Sequence, residues 1–346
     1  MMKTIAIGVA ALLLAFVGLS YYVSQPVVEG TRGAFTPRIA APAEALTFAR
    51  SARGLILVTR HEGDALIGTN LTSLFGDEAT RDLISFAAEL DPAQLAELQD
   101  SEERFPLDEL LLPIDYTYPS VAAGTNFKEH AEEVLSDDPP FLFPKLVQPG
   151  EWDDPVPFLS RLDYEAELCM FPLADIDDPD ALPDFGLVLC NDFTDRWTLV
   201  TELDLGEPLG QTGFPSGKGC ERCFPTGYLV VIPRSPSFYL SLGVSLYVND
   251  ELRQQFNMKD IILPVEDIVA EAFRNEASVY HKGDEQLSLL PSGNIPRGTL
   301  ILTGTAGGVI FKPANIWNQA FYLQPGDVVR TEASYLGHLA NVVEAD

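Results

Sequence analysis

The sequence predicts a mainly β, α+β protein with a rolled, barrel-like main sheet, and three observations carry that expectation. From residue 112 onward, short apolar runs alternate with Pro, Gly and Asp, as in "FGLVLCNDF", "GYLVVIP", "YLSLGVSLYVNDELRQ", "GTLILTGTAGGVIF" and "PGDVVRTEASYLG". Runs of this length bounded by turn residues read as strands. Clear helical spacing within that region is confined to "VEDIVAEAFRNEAS",. Ahead of it, strand-like runs give way to two helical stretches, the pattern of a smaller α/β unit.

Taken in order, the chain opens with "MMKTIAIGVAALLLAFVGLSYYVSQP", where Lys3 precedes an uncharged apolar run over residues 5–23. Tyr21 and Tyr22 close the run and suit a membrane interface, and its 19 residues are about what a helix needs to cross a bilayer. No A-x-A cleavage site or lipobox cysteine follows. Residues 1–25 are therefore expected to form an uncleaved signal anchor, a transmembrane helix, with a peptide cleaved near Gly18-Leu-Ser20 as the alternative. Either form places the rest of the chain outside the cytoplasm, as a membrane-anchored, exported (periplasmic or extracytoplasmic) domain.

Residues 26–44, interrupted by Pro and Gly, read as a tether. Residues 45–111 form the small domain: "LTFARSARGLILVTRHEGDALIGTNLTSLFG" reads as strands turning at His61-Glu-Gly-Asp64. "DEATRDLISFAAEL" and "DPAQLAELQDS" follow as helices with acidic N-caps,. Residues 112–346 form the main domain. With 46% hydrophobic residues the chain can bury a sizeable core,. Its 51 Asp and Glu against 22 Lys and Arg, a net charge of −29, argue against nucleic acid or an anionic lipid surface as partner. Cys169, Cys190, Cys220 and Cys223 fit export without fixing a disulfide framework. The single CxxC of "CERC" lacks the second pair that zinc needs, and reads as a local disulfide or two free thiols.

Four segments carry chemistry. In "RLDYEAELCMF", strand alternation puts Leu162, Tyr164, Ala166 and Leu168 on one face and Glu165 with Glu167 on the other,. Two neighbouring carboxylates resist burial unless a cation lies between them. "GLVLCNDFTDRW" brings Asp192 out of an apolar strand as a third. Three carboxylates make an all-oxygen set, suited to Mg²⁺, Mn²⁺ or Ca²⁺ rather than zinc. In "YPSVAAGTNFKEHAEE", His130 and Glu133 are three apart and share a helix face, where a carboxylate that fixes an imidazole makes a general base. In "GKGCERCFPTG", Lys218 sits in a Gly-flanked loop and could neutralise an anionic intermediate. Each has an ordinary counterpart: a surface H-x-x-E, chance carboxylates in an acidic chain, an exposed lysine.

In sequence order, these segments resemble the fumarylacetoacetate hydrolase family over residues 112–343. "GTNFKEHAEE" resembles the family's G-x-N-Y-x-x-H-x-x-E, "PFLFPK" its F-x-K segment, and "LDYEAELCMF" its L-D-Y-E-x-E-L strand. "GLVLCNDFTDR", "YVNDELRQ", "LILTGTAGGV" and "LQPGDVVRTEASYLGHLAN" resemble its later motifs. The resemblance implies a fumarylacetoacetase-like β-roll and a homodimer. It implies Glu165, Glu167 and Asp192 as ligands of Mg²⁺ or Mn²⁺, and His130 with Glu133 as the dyad that activates water. Lys218 would steady an enolate, while Asn126, Lys145, Gln148, Arg196 and Thr305 would line the substrate site. Phe127 stands where the family has Tyr, Asp250 where it has Gly, and Thr299 where it has Asp. Trp197 is a further departure, placed to narrow the pocket.

The leading expectation is a metal-dependent hydrolase cleaving a C–C bond in a small acylpyruvate or diketo acid. Decarboxylation, hydration and keto–enol isomerisation are rivals within the family, because all pass through an enolate. A non-catalytic cell-surface binding protein is the alternative of a different class, and the survival of His130, Glu133, Glu165, Glu167, Asp192 and Lys218 together weighs against it.

Overall fold

The computed structural model describes residues 2–26, 28, 30–33, 37–89, 98 and 102–345. The expected helix over residues 91–101 lies almost wholly outside them. The chain begins with helix α1 (Met2–Val23) and continues into a meander, β1 (Ala45–Ser51), β2 (Gly54–Glu62), β3 (Ala65–Asn70) and β4 (Glu102–Pro106). β5 (Thr117–Gly124), the short helix α2 (Lys128–Glu133) and β6 (Phe141–Lys145) follow. Next come β7 (Leu162–Asp163), β8 (Ala166–Pro172), β9 (Phe185–Asn191), β10 (Thr194–Asp195), helix α3 (Arg196–Thr201) and β11 (Val230–Pro233). The C-terminal part holds β12 (Gly243–Val248), β13 (Glu251–Asn257), helix α4 (Val265–Arg274), β14 (Thr299–Leu302), β15 (Val328–Ala333) and β16 (Gly337–Glu344).

The main sheet runs β4-β3-β2-β1-β11-β9-β8-β14-β5-β6, mostly antiparallel, with β14 and β5 parallel. A second, five-stranded sheet runs β13-β12-β15-β16 and ends on a short strand, Val156–Pro157, parallel to β16. Both are open at their edges, so the expected barrel-like closure is replaced by two open sheets in a mixed α+β fold. The reason is nonlocal. Strand β1 of the meander bonds to β11, with Phe48 opposite Val230, so the N-terminal strands extend the main sheet instead of leaving its end to close on itself. The central strands β8 and β9 are buried along almost their whole length, which is why they read as continuous apolar runs rather than alternating ones.

The turn between β12 and β13 carries Asn249 and Asp250 at φ +50° and +66°. Asn and Asp tolerate this left-handed backbone better than most residues, which accounts for a hairpin here without glycine. Phe127 is fully buried with its ring 5.0 Å from that of Phe256, so the apolar residue at this departure has an apolar neighbour.

Among the described residues no helix is long and apolar enough to cross a membrane, and the expected transmembrane anchor is unsupported. Helix α1 does form, and most of its described apolar side chains are exposed. Its C-terminal turn, though, is committed to protein: Ser20 is buried, its hydroxyl donates to Ala314 O (2.6 Å) and accepts from Trp317 Nε1 (3.0 Å), and Asn315 Nδ2 donates to Ser24 Oγ (3.0 Å). The apolar run thus loses its last turn to the body of the fold.

All four cysteines are paired. Cys220 joins Cys223 within its loop, and Cys169 joins Cys190 across β8 and β9.

Candidate metal and acid–base site

The expected unbroken strand over residues 161–171 is interrupted. β7 ends at Asp163, pairs with β10 instead, and β8 begins at Ala166. Glu165 therefore lies in the step between two strands, held by its N–H donating to Asn191 Oδ1 (3.0 Å). Glu167 stands on β8 opposite Cys190, and Asp192 directly follows β9. The three carboxylates nonetheless converge, with one oxygen from each within 4.8 Å of the others and all three residues buried.

Three cations surround them. Lys218 Nζ donates to Glu165 Oε2 (2.7 Å), Asp192 Oδ2 (2.8 Å) and Thr194 Oγ1 (3.0 Å). Lys145 Nζ, fully buried, donates to Asp192 Oδ1 and to the carbonyl of Lys218. Arg196 reaches Glu165 Oε1 with one nitrogen and Asp163 Oδ2 with Nε (2.8 Å). Burial alone would push Glu165 up, yet the charges of Lys218 and Arg196 hold it well below the usual carboxylate range. Glu167 goes the other way. Burial, then the charges of Asp192 and Glu165, push it well above that range. Among the described residues Glu167 has no ion-pair partner, and its carboxylate accepts only the Gly304 N–H (2.7 Å).

A divalent cation fits these donors. They are all carboxylate oxygens, an ammonium already bridges two of them, and the third is the buried acid that lacks a cation.

His130, on α2, stands over the cluster with Nε2 4.0 Å from Glu165 Oε1 and Nδ1 4.0 Å from Glu133 Oε2. The remaining predicted residues are placed differently. Thr305 Oγ1 donates to Ala166 O and accepts from Gln254 Nε2 (both 2.8 Å). The Asn126 amide is spent on backbone groups of Leu263 and Thr303. Gln148 is exposed on the loop after β6. Trp197 is also exposed, its ring against the Arg161 guanidinium at 5.3 Å.

Two residues escaped the sequence reading. Asp163 is fully buried and accepts from Arg196 Nε and from the N–H groups of Ile310 (2.9 Å) and Phe311 (3.0 Å). It sits in the quoted L-D-Y-E stretch, where strand alternation puts it on the same face as the two glutamates,, a signal that could have found it. Gln254 accepts from Ala166 N (3.0 Å) and donates to Thr305 and Ala306 O (2.9 Å), bracing β8 between the two glutamates. The run "ELRQ" contained it without any chemical signal.

The fold and this cluster define the class: a sheet-rich α+β protein whose buried carboxylate triad can hold a divalent metal beside an imidazole. More narrowly, the fumarylacetoacetate (FAA) hydrolase C-terminal family model matches residues 120–344, and the chain belongs to that family. Three solved structures share the fold. Fumarylacetoacetate hydrolase from Exiguobacterium antarcticum is 21% identical, with 88% of this chain and 100% of that one covered at a TM-score of 0.57. Maleylpyruvate hydrolase from Sphingobium sp. SYK-6, in complex with manganese(II) and pyruvate, is 21% identical, with 86% and 99% covered at 0.55. 2-Hydroxyhepta-2,4-diene-1,7-dioate isomerase from Mycobacterium marinum is 19% identical, with 88% and 99% covered at 0.53.

Proposed function

We propose that the protein is a metal-dependent hydrolase that cleaves a C–C bond in a small acylpyruvate or diketo acid. One observation carries the reading: the buried imidazole of His130 lies between the free oxygen of Glu133 and the triad ligand Glu165. Glu165, Glu167 and Asp192 would hold Mg²⁺ or Mn²⁺, which when bound polarises the substrate's carbonyl oxygens. His130 Nε2 takes a proton from water as the water oxygen bonds to the acyl carbon. The C–C bond then breaks, its electron pair passes to the departing carbon as an enolate, and that carbon is finally protonated. The products are a carboxylic acid and a 2-keto acid. Lys218, already turned toward the cluster, is placed to neutralise the enolate.

The fold neighbour that binds manganese(II) and pyruvate supports the metal and the product class. The two disulfides support work in an oxidising compartment outside the cytoplasm,.

The test is turnover of an acylpyruvate panel by the full-length protein with Mn²⁺, Mg²⁺ or EDTA, read as 2-keto acid released. Release that EDTA abolishes is expected. Rearrangement of a substrate without release would replace the hydrolase by an isomerase, and no reaction with any member under either metal would sink the reading.

A further inference from the structure

The loop after β14 folds back over α2 and brings in a lysine that neither the triad nor the disulfides require. Lys312 is buried, at 8% exposure, which is costly for an ammonium without a partner. Its Nζ donates to Val309 O (2.7 Å) and lies 3.3 Å from Glu133 Oε1. The same carboxylate oxygen accepts the Gly308 N–H at 2.8 Å. Both donors therefore use Oε1. Glu133 Oε2 and His130 Nδ1 are left facing each other at 4.0 Å, both buried and neither with another hydrogen-bond partner among the described residues.

The loop itself is held firmly. Asp163 takes the N–H groups of Ile310 and Phe311, and Asn315 Oδ1 takes that of Lys312 (3.0 Å). The lysine backbone is thus fixed on both sides before its side chain reaches Glu133.

We propose that Lys312 is a positioning residue: with the Gly308 N–H it pins one oxygen of Glu133 so that the other is presented to His130 Nδ1. This rests on the dyad reading above. A carboxylate free to rotate could offer either oxygen, or turn toward solvent. Pinned at Oε1, it has only Oε2 to give, and an imidazole that donates Nδ1–H to it keeps Nε2 free to accept a proton. Burial raises the Glu133 carboxyl, but His130, the Lys312 charge and the Gly308 N–H outweigh it and hold it below its usual range, so it is an acceptor. A merely structural lysine would neutralise the same charge without influencing the tautomer of His130.

The deciding measurement is ¹⁵N NMR of the histidine rings in the metal-free, full-length protein at mildly alkaline pH. The chain has four histidines, and the His130 signals are assigned by their loss in His130→Ala. We expect His130 as the Nδ1–H tautomer in wild type and in Lys312→Arg, and loss of that preference in Lys312→Met and Glu133→Gln. In turnover, Lys312→Met should lower kcat roughly 10–100-fold, less than the loss of the base itself, with KM and Mn²⁺ affinity within about twofold. Adding Lys312→Met to Glu133→Gln should cost nothing further, because both act through one contact. An unchanged tautomer in Lys312→Met, or costs that multiply in the double variant, overturns the proposal. The NMR result needs no substrate, so failure of the hydrolase reading and failure of the positioning role are separable.

Discussion

His130 Nδ1 and Glu133 Oε2 face one another across 4.0 Å, with no other hydrogen-bond partner for either among the described residues. Catalytic contacts are often loose before substrate binds and tighten around it. Replacing His130 by Ala should lower kcat about 10²–10⁴-fold and leave Mn²⁺ affinity nearly unchanged, because His130 is not among the triad. Glu133→Gln should cost less, since the imidazole stays and only its orienting charge is lost. Steady-state kinetics beside Mn²⁺ titration by electron paramagnetic resonance reads both. Full turnover in His130→Ala would remove the dyad.

Glu167 supplies the sharper test of the metal. Its carboxyl has no ion-pair partner among the described residues and is raised by burial and then by its acidic neighbours. Excess Mn²⁺ or Mg²⁺ should therefore raise the melting temperature of the wild-type protein relative to EDTA by mass action. In Glu167→Gln that difference should largely vanish, and the metal-free variant should be no less stable than wild type. Equal melting points for wild type in all three conditions would contradict a metal site.

Lys218 separates neutralisation from catalysis. Its ammonium bridges Glu165 and Asp192, so Lys218→Met leaves three buried carboxylates with one cation fewer. We expect a lower melting temperature without metal and a larger rise on adding Mn²⁺ than in wild type. Turnover should still fall at saturating Mn²⁺ if the lysine also stabilises the enolate. A metal-induced rise no larger than in wild type would mean that Lys218 does not share the cation's place.

Far from the triad, Tyr228 OH lies 3.0 Å from His61 Nε2 and 3.1 Å from His338 Nδ1. Burial, then the charges of Arg330, His61 and Arg32, lower the His338 imidazole to about 3. A histidine with a depressed folded-state value stabilises the fold above its unfolded value of about 6.5. That contribution is lost as pH falls from there toward about 3, with a slope of up to about 1.4 kcal/mol per pH unit. Chemical denaturation across this window should show stability falling with acid, and less steeply in His338→Phe. A parallel pH dependence in the two proteins would exclude His338 as the group responsible.

The triad and His130 were legible because they rest on local rules: a carboxylate pair two apart, an acid at a strand end, and an i, i+3 pair on a helix. The break at Tyr164 was not, since an interrupted strand and a continuous one show the same alternation, and only the pairing of β7 with β10 tells them apart. Lys312 was invisible for a different reason. In "GGVIFKPAN" a lone lysine between apolar residues and proline looks like a solvated loop, and its burial depends on Glu133, 179 positions away. The merging of the meander into the main sheet likewise depends on a pairing between Phe48 and Val230 that no local pattern encodes. Cysteine spacing left the disulfides open, because four cysteines admit three pairings.

The bridge between Cys169 and Cys190 has one more consequence. Each cysteine lies two residues from a triad carboxylate, Glu167 on β8 and Asp192 just past β9, and the acidic connection "LADIDDPDALPD" between these strands lies inside the covalent ring that the bridge closes. A protease would find that connection mostly on the surface, where chains are most readily cut. A single cut there opens the ring without dividing the molecule, and the two strands bearing Glu167 and Asp192 stay joined by sulfur as well as by their hydrogen-bonded ladder.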